Sequence, residues 1–365
     1  MKIAFINWMD MENPNSGGAE KYTWELSKRF ARDGNSVLFL TSKYKSSIED
    51  EEIDGIHIIR FGNWLSLYIR ALFWVSRYER EYDLIFEVIN GPPFLLPLKV
   101  KRSKHVVVIF HLPTFEATCK KLPFLGPMEF IISRLVLGYF YKGRKVITDS
   151  YNTKKELIRI GFTNVFVAED GLNIDSKTSE ICLRKEIRVV VIGPLKPWKR
   201  IDHAIKAFSV LSSEWRLDIL GNGPKSYLKK LSKLTIELGI AERTKFHGYV
   251  DNQTKQFIIG NSLITIVTSE KEGFSLTALE CQQYGTVPVA YNFPGIEGSI
   301  IPDITSIIVR NSDLASLKNA LLYISSDFEK LSTMSKRAIE FSKNFTWDIT
   351  YEKVRNIIVD HLVQQ

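Results

Sequence analysis

The sequence predicts an α/β protein built from two doubly wound, Rossmann-like domains that face each other across a cleft. The chain has 365 residues, more than one ordinary domain. Short apolar runs alternate with helical patterns through the first half, and the alternation restarts after a polar stretch near the middle. Strands this apolar, separated by helices, indicate parallel sheets covered on both faces, with ligands bound beyond the carboxyl ends of the strands.

The first half supplies the strands of an N-terminal domain over residues 1–175. Polar or glycine-containing turns bound each predicted strand: KIAFIN, SVLFLTS, IHIIRF, LIFEVIN, HVVVIFH, KVITDS and NVFVAED. The pattern pauses over residues 171–186, which are polar and poor in periodicity. We therefore place the interdomain linker there.

The second half predicts a further domain over residues 176–345. Its predicted strands are RVVVIG, RLDILG, TKFHGYV, SLITIVTS and VPVAYNF, with helical patterns such as IDHAIKAFSVL and KSYLKKLSKLTIELG between them. After residue 311 the pattern is mostly helical. Residues 346–365 carry aromatic and aliphatic side chains at helical spacing, which predicts a last helix that packs back on the N-terminal domain.

Charge and cysteine content limit the classes of partner and location. The net charge of +8 and pI near 9.1 suit sugar phosphates, nucleic acid or an anionic membrane. No nucleic-acid reading module or continuous basic arm is recognisable, so we expect no nucleic-acid partner. Three scattered cysteines give neither a disulfide framework nor metal-ligand spacing, and the N-terminus lacks a signal-peptide pattern. These features predict a cytoplasmic protein, with no stretch able to span a bilayer.

Two candidate site segments lie in the first half. Gly17 and Gly18 follow the first strand and open a helix, where free backbone amides favour an anion. A plain strand-to-helix turn explains them equally well. His111 ends a very apolar strand, where it can face a cleft and bond a hydroxyl or be a satisfied buried histidine.

Two more segments follow strands of the second half. Gly193 ends a strand, and the loop after it carries Lys196, Lys199 and Arg200, which suit a diphosphate or form a solvated basic turn. The stretch LGNGP has two glycines but lacks the third glycine of the dinucleotide fingerprint, so it indicates NAD only weakly.

The stretch EGFSLTALE, residues 272–280, is the fifth candidate. A strand precedes it, and a helix begins near Ser275, so the amides of Phe274, Ser275 and Leu276 beside Gly273 form a predicted phosphate seat. Glu272 lies before the helix and Glu280 within it, roughly 12 Å apart if the rise is helical. That separation exceeds the roughly 5–9.5 Å of hydrolytic carboxylate pairs and suits the two ends of an extended ligand, although glutamates on helices mostly face water.

The Glu-x7-Glu pattern of EGFSLTALE, with GGAE, VIGPLKPWKR, DILGNGP and FHGYV, resembles retaining glycosyltransferases of family 4, which have the GT-B fold. The resemblance runs over nearly the whole chain. It implies transfer of a sugar from a nucleotide-diphosphate sugar, bound mainly by the second domain, to an acceptor hydroxyl held by the first. It also implies no metal and no cofactor.

The resemblance assigns roles to the candidate residues. Glu280 is expected to bond the donor ribose, Glu272 to contact the sugar near its reacting carbon, and Lys199 to bind the diphosphate. Gly17 and Gly18 match a loop that approaches the donor phosphates. His111 matches a histidine close to the sugar and acceptor.

One position departs from that family's pattern. The family usually has an arginine after the glycine at 193, and this chain has Pro194, which supplies no charge and no backbone donor. Lys196 or Arg200 is a candidate to replace the missing cation. A degenerate domain that binds a glycan or partner without catalysis is therefore one alternative, and an NAD-dependent oxidoreductase is a weaker one.

Two segments of the first half predict contact with a membrane. Residues 63–80 and 122–145 combine aromatic and aliphatic residues with arginine and lysine, as interfacial helices do. With the basic pI they suggest a cytoplasmic enzyme that docks to the membrane while it extends a lipid-linked or surface glycan precursor. Ordinary helices that cover the first sheet are the alternative.

Overall fold

The computed structural model describes residues 1–112, 126–173 and 187–363. The chain divides into two compact units, one formed by Met1–Gly171 with Trp347–Gln365 and the other by Leu172–Thr346. The predicted linker at 171–186 lies mostly outside the described residues. Each unit contains its own sheet, which confirms the prediction of two doubly wound α/β domains.

The first unit has an eight-stranded sheet in the order β3-β4-β2-β1-β5-β6-β7-β8. Its strands are β1 Lys2–Ile6, β2 Ser36–Thr41, β3 Asp50–Ile53, β4 Ile56–Arg60, β5 Leu84–Ile89, β6 His105–Ile109, β7 Lys145–Thr148 and β8 Asn164–Val167. Its helices are α1 Gly18–Arg32, α2 Trp64–Tyr78, α3 Gly126–Phe140, α4 Tyr151–Arg159 and, at the end of the chain, α11 Trp347–Val363.

The pairing is parallel except between β3 and β4, where Glu52 lies opposite His57 in an antiparallel ladder. Strand β3 has no apolar run to predict it, because DEEI is charged and half exposed, as suits the edge strand of a sheet. Aromatic side chains fill the core on one face of the central strands: the rings of Phe5 and Phe86 stack with centroids 4.4 Å apart. The apolar face of α2 covers the opposite side of the sheet.

Helix α11 packs on α1. Tyr351 donates a hydrogen bond to Asp33 at 2.7 Å, and its ring lies 4.9 Å from that of Phe30. Asp348 accepts from Arg29 at 2.8 Å. Aromatic residues of α11 thus lie against α1 within the first unit.

The second unit has a six-stranded, all-parallel sheet in the order β11-β10-β9-β12-β13-β14. Its strands are β9 Arg188–Ile192, β10 Arg216–Leu220, β11 Thr244–Gly248, β12 Ile264–Val267, β13 Val287–Asn292 and β14 Ile307–Arg310. Its helices are α5 Ile201–Phe208, α6 Lys225–Glu237, α7 Asn252–Gly260, α8 Leu276–Gln283, α9 Leu314–Ser326 and α10 Phe328–Ser342.

The strand order of this sheet reverses between β9 and β12. From β9 the chain proceeds outward through β10 and β11, then returns to the other side of β9 to add β12, β13 and β14. Open α/β sheets bind ligands at such a switch point, beyond the carboxyl ends of the strands. The loops that carry most of the predicted site residues begin there.

Candidate functional site

An ion pair joins the two loops at the switch point of the second sheet. Lys199, in the turn after β9, donates to Oε1 of Glu272, in the loop after β12. Ser269 donates to the same oxygen at 2.5 Å. The side chains of Lys199 and Glu272 are only 16% and 12% exposed, so solvent screens the pair little.

Hydrogen bonds to backbone carbonyls hold the same two loops together. The Thr268 hydroxyl lies 2.8 Å from the carbonyl of Lys199 and 2.9 Å from that of Arg200. The amide of Glu270 donates to the carbonyl of Trp198 at 2.9 Å. The position of Lys199 against Glu272 is therefore built into the backbone as well as the side chains.

The loop after β13 supports Glu272 from the other side. The Glu272 amide donates to the carbonyl of Pro294 at 2.9 Å. Gly295, which has φ of +97°, approaches so closely that a Cβ there would lie 2.1 Å from the Glu272 carbonyl oxygen. No side chain fits at position 295 without moving this loop.

The glycines of LGNGP have a packing role. A Cβ at Gly221 would lie 1.9 Å from the carbonyl oxygen of Gly193, and one at Gly223 would lie 2.1 Å from that of Leu195. The amide of Leu195 donates to the carbonyl of Asn222 at 2.8 Å. Close contact between the loops after β9 and β10 thus explains both glycines without a dinucleotide.

The predicted anion seat lies at the start of α8. Ser275 is the residue before the helix, and its buried hydroxyl has no hydrogen-bond partner among the described residues. Within the same part of the chain, the amides of Phe274 and Ser275 donate to no backbone carbonyl. Unpaired donors at a helix start attract an anionic group. The third predicted donor, the Leu276 amide, is paired instead: it donates to the carbonyl of Phe274 at 3.1 Å. Gly273 precedes Phe274 in the same loop.

Glu280 lies on α8 and is paired with Lys255 on α7. The Lys255 ammonium lies 3.0 and 3.1 Å from the two carboxylate oxygens of Glu280. Both side chains are partly buried, at 25% and 20% exposure. Lys255 was not predicted as a site residue, because nothing in NQTKQF links it to an acid twenty-five positions further along the chain.

The three predicted cations of the loop after β9 have different surroundings. Lys199 faces Glu272, and its Cε would lie 3.6 Å from a Cβ placed on Gly193. Lys196 is exposed, with its ammonium 4.9 Å from the ring centroid of Trp198. Arg200 turns away and donates to Asn311. Lys199 is the one the structure brings to Gly193 and Glu272.

A small cavity extends below the ion pair at the switch point. Polar and apolar side chains of β9, β12 and the adjoining loops line it: Val191, Ile192, Lys199, Ile201, Ile266, Val267, Thr268, Ser269, Glu272 and Thr277. The strands supply apolar side chains, the loops supply polar ones, and the starts of α5 and α8 add Ile201 and Thr277.

The remaining predicted residues belong to the first unit. Gly17 and Gly18 are exposed at the start of α1, and the Gly17 amide donates to the buried Glu20 at 2.8 Å. His111 is exposed two residues beyond β6. Asn90, after β5, donates to Glu20 at 3.4 Å and so ties the end of β5 to the first turn of α1.

The first unit also contains an acidic pair that the sequence analysis missed. Asp149 and Asp170 follow β7 and β8 and are both buried. Burial raises the pKa of Asp149 well above its usual range, and the negative charge of Asp170 raises it further. The pKa of the buried Tyr22 is raised by burial and by both acids. Neighbouring strand ends bring the acids together, and no local motif signals that.

The two predicted membrane segments, residues 63–80 and 122–145, contain helices α2 and α3. Leu67, Ala71 and Val75 of α2 are buried on the sheet, as expected of an ordinary helix that covers it. Leu65 and Phe73 of the same helix are exposed. On α3, a row of apolar side chains is exposed: Met128, Ile131, Ile132, Leu135 and Tyr139. Residues 122–125 lie outside the described residues. No described helix has both the length and the apolar character needed to cross a membrane.

Comparison with known families matches both halves of the chain. Residues 16–176 match the model "Glycosyltransferase Family 4", and residues 177–341 match "Glycosyl transferases group 1". An uncharacterized glycosyltransferase of Methanocaldococcus jannaschii is 21% identical, over 98% of this chain and 97% of the relative. The poly(glycerol-phosphate) alpha-glucosyltransferase of Bacillus subtilis is 25% identical over 89% of this chain, which spans half the length of that relative.

Solved structures share the fold over the whole chain. The sucrose-phosphate synthase of Thermosynechococcus elongatus superposes with a TM-score of 0.79 at 18% identity, covering all of both chains. Anabaena HepE in complex with UDP gives a TM-score of 0.77 at 16% identity, over 99% of this chain and all of the other. A further structure of HepE contains UDP-glucose. At these identities the likeness establishes the fold.

Proposed function

The chain belongs to the glycosyltransferases with the GT-B fold, and we propose that it moves a sugar from a nucleotide-diphosphate sugar to an acceptor hydroxyl with retention at the sugar carbon. The arrangement that carries the proposal lies at the switch point of the second sheet. There the unpaired amides of Phe274 and Ser275 and the buried Ser275 hydroxyl follow Glu272 directly in the loop after β12, and Lys199 pairs with Glu272 from the loop after β9. Structures of HepE with UDP and UDP-glucose support the same class of donor.

The diphosphate binds at the start of α8 in this proposal. Amides of Phe274 and Ser275 donate to phosphate oxygens, and the Ser275 hydroxyl gains the partner it lacks among the described residues. The Leu276 amide is left out of this set because it already donates to the carbonyl of Phe274 at 3.1 Å. Lys199 adds a positive charge that neutralises the departing diphosphate. Metal-independent transfer follows as a proposal, since these groups supply the charge compensation that a metal ion supplies elsewhere.

The two glutamates act at opposite ends of the donor. Glu280 accepts hydrogen bonds from the ribose hydroxyls, because an ionised carboxylate has acceptor sites beyond the two oxygens' contacts with Lys255. Glu272 steadies positive charge on the sugar as the bond to the diphosphate breaks. The acceptor oxygen forms its bond to the sugar carbon as the phosphate oxygen leaves, and that phosphate oxygen takes the acceptor's proton on the same face.

The first unit supplies the acceptor side in this proposal. His111 contacts the acceptor hydroxyl, and the exposed start of α1 at Gly17 and Gly18 approaches phosphate groups. The exposed apolar rows of α2 and α3 favour a peripheral membrane position at the cytoplasmic face, where a lipid-linked glycan precursor would be extended. Arg70 and Arg77 on α2 are exposed as well and suit anionic headgroups.

A panel of UDP-, GDP- and ADP-sugars tests the donor part. We expect the sugars of one nucleotide to raise the melting temperature of the protein. When cell extracts that contain glycan acceptors are added, the same nucleotide sugars should release free nucleotide. Glu280→Ala should lose the shift, and Glu237→Ala, which removes an exposed glutamate of α6 that is also paired with a lysine, should keep it. If no nucleotide sugar shifts the wild-type protein, the proposed donor class is wrong.

The alternative of a non-catalytic glycan-binding domain rests on Pro194. It predicts no turnover: whether or not a nucleotide sugar binds, no acceptor causes the release of free nucleotide. The oxidoreductase alternative predicts a thermal shift with NAD, for which Gly221 and Gly223 offer no support, since close loop contacts account for both.

A further inference from the structure

Arg200 adopts a backbone conformation that side chains disfavour. It precedes α5 with φ of 47° and ψ of 45°, in the left-handed region where glycine is the usual residue. Its carbonyl accepts the His203 amide at 2.9 Å and so begins the helix. Glycine would begin the helix equally well and without strain, so the presence of arginine calls for a reason in its side chain.

The guanidinium of Arg200 spans to the end of another strand. Nη1 donates to Asn311 Oδ1 at 2.9 Å and to Ser312 Oγ at 2.7 Å, just beyond β14. Nε lies 3.4 Å from Oε1 of Glu270, in the loop after β12. Ser312 is itself left-handed, with φ of 64°. Arg200 therefore connects the loops that follow three strands: β9, β12 and β14.

These contacts hold residues that lie next to Lys199 and Glu272 in the chain. Arg200 adjoins Lys199 in sequence, and its side chain holds Glu270, two positions before Glu272. The side chain of Arg200 is only 19% exposed, and Glu270, Asn311 and Ser312 occupy donors on Nε and Nη1 of its guanidinium. A group held in this way is suited to fix loops rather than to follow a ligand.

We propose that Arg200 is a positioning residue of the donor site: it locks the loops after β9 and β12 in the geometry that puts Lys199 against Glu272, and does not itself bind the diphosphate. The inference rests on the proposed function for its catalytic consequence. Its structural part, the locking of the 268–272 loop, stands independently of the substrate.

Substitution by glycine separates positioning from backbone strain. Arg200→Gly removes the clamp and relieves the left-handed strain, whereas Arg200→Ala removes the clamp and keeps the strain. We expect Arg200→Gly to melt at or above the temperature of Arg200→Ala, yet to lose about 10- to 100-fold in kcat, because small misplacements of catalytic groups cost that much. The dissociation constant of the free nucleotide diphosphate should stay within about threefold of wild type.

Lys206→Ala is the matched control, because it removes a neighbouring cation of α5 whose contact, to Asp202 at 3.5 Å, lies within one helix. That variant should keep wild-type kcat. The pair of substitutions Asn311→Ala and Ser312→Ala should reproduce part of the loss and should add little to Arg200→Gly, since they break the same contacts. Wild-type turnover in Arg200→Gly would overturn the proposal.

Two further outcomes also decide against it. A loss of nucleotide affinity larger than the loss of kcat would make Arg200 a direct diphosphate ligand. Amide hydrogen exchange over residues 268–272 provides a readout without substrate: we expect faster exchange in Arg200→Gly than in Lys206→Ala. Equal exchange would overturn the locking of the loop, whereas an absence of any nucleotide-sugar binding by the wild type would overturn only the proposed function.

Discussion

Lys255 places its ammonium 3.0 and 3.1 Å from the two carboxylate oxygens of Glu280. The pair joins α7, which leads from β11 into β12, to α8, which follows β12. A carboxylate that is held at both oxygens has one orientation. It can therefore present its remaining acceptor sites to a ligand without a loss of side-chain freedom on binding.

Removal of this lysine should weaken donor binding. We expect Lys255→Met to raise the dissociation constant of the nucleotide diphosphate about tenfold, with kcat at saturating donor nearly unchanged, because a uniformly lost binding contact affects ground and transition states alike. Titration calorimetry measures the change. Lys233→Met, on the exposed face of α6, is the control and should bind as wild type. Tighter binding in Lys255→Met would show that the lysine competes with the ligand.

Glu272 should matter for turnover more than for affinity. Glu272→Gln keeps the size of the side chain and an acceptor for Ser269 but loses the charge that faces Lys199. We expect kcat to fall about 10²- to 10³-fold, as when one electrostatic stabiliser of a transition state is removed, and nucleotide affinity to change little. Single-turnover kinetics with saturating donor make the measurement, and near-normal turnover would remove Glu272 from the catalytic group.

Pro194 provides a gain-of-function test. The side chain is exposed, and the turn persists through the Lys196 amide, which donates to the Pro194 carbonyl at 2.8 Å, so an arginine can be introduced there. We expect Pro194→Arg to raise kcat about tenfold through added charge near the diphosphate. Pro194→Gln, which removes the ring without adding charge, should not. Equal rates for both would mean that Lys199 already supplies the required charge.

The exposed row on α3 should bind membranes. Ile131→Glu with Leu135→Glu places two charges on that row, where the native side chains are 55% and 66% exposed. We expect most of the binding to anionic vesicles to be lost in co-sedimentation, since buried apolar area and charge set interfacial affinity. Ile236→Glu, an equally exposed site on α6, is the control. If the double variant sediments as wild type, α3 is not the membrane-facing element.

The buried acids of the first unit predict a pH dependence of stability. The pKa of Asp149 is raised in the folded protein, so folding favours its protonated form. That stabilisation is present below the unfolded pKa near 3.8 and is lost as the pH rises through the folded value. Asp149→Asn should therefore melt above wild type at neutral pH, with a gap that narrows as the pH falls toward about 4. A gap that does not vary with pH would contradict this origin.

Much of the architecture could be predicted because apolar periodicity is a local property. Every strand that was predicted from an apolar run is present, and the two that were missed, Asp50–Ile53 and Ile307–Arg310, are an edge strand of charged residues and a short edge strand at the other sheet. Edge strands bury little, so they carry a weak hydrophobic signal.

The surroundings of the candidate site were less predictable. Glycine and a helix start identify the loop at Gly273, and its position at the switch point follows from strand order. In contrast, Lys255 reaches Glu280 only because α7 and α8 pack together. Ser269 reaches Glu272 only because the loop between them turns back on itself. Arg200 was expected to face a diphosphate, and nothing local indicates that its guanidinium is held by Asn311 and Ser312 instead.

The contacts of Gly221, Gly223 and Gly295 have a consequence for laboratory evolution. At each of these positions the Cβ of a side chain would lie about 2 Å from a backbone oxygen. Libraries randomised at these positions would therefore yield variants that are unfolded or that keep glycine. The exposed Lys196 and Trp198 lie on the same set of loops and meet no such barrier. A search for altered donor preference therefore has room to vary side chains around the site while its glycine framework stays unchanged.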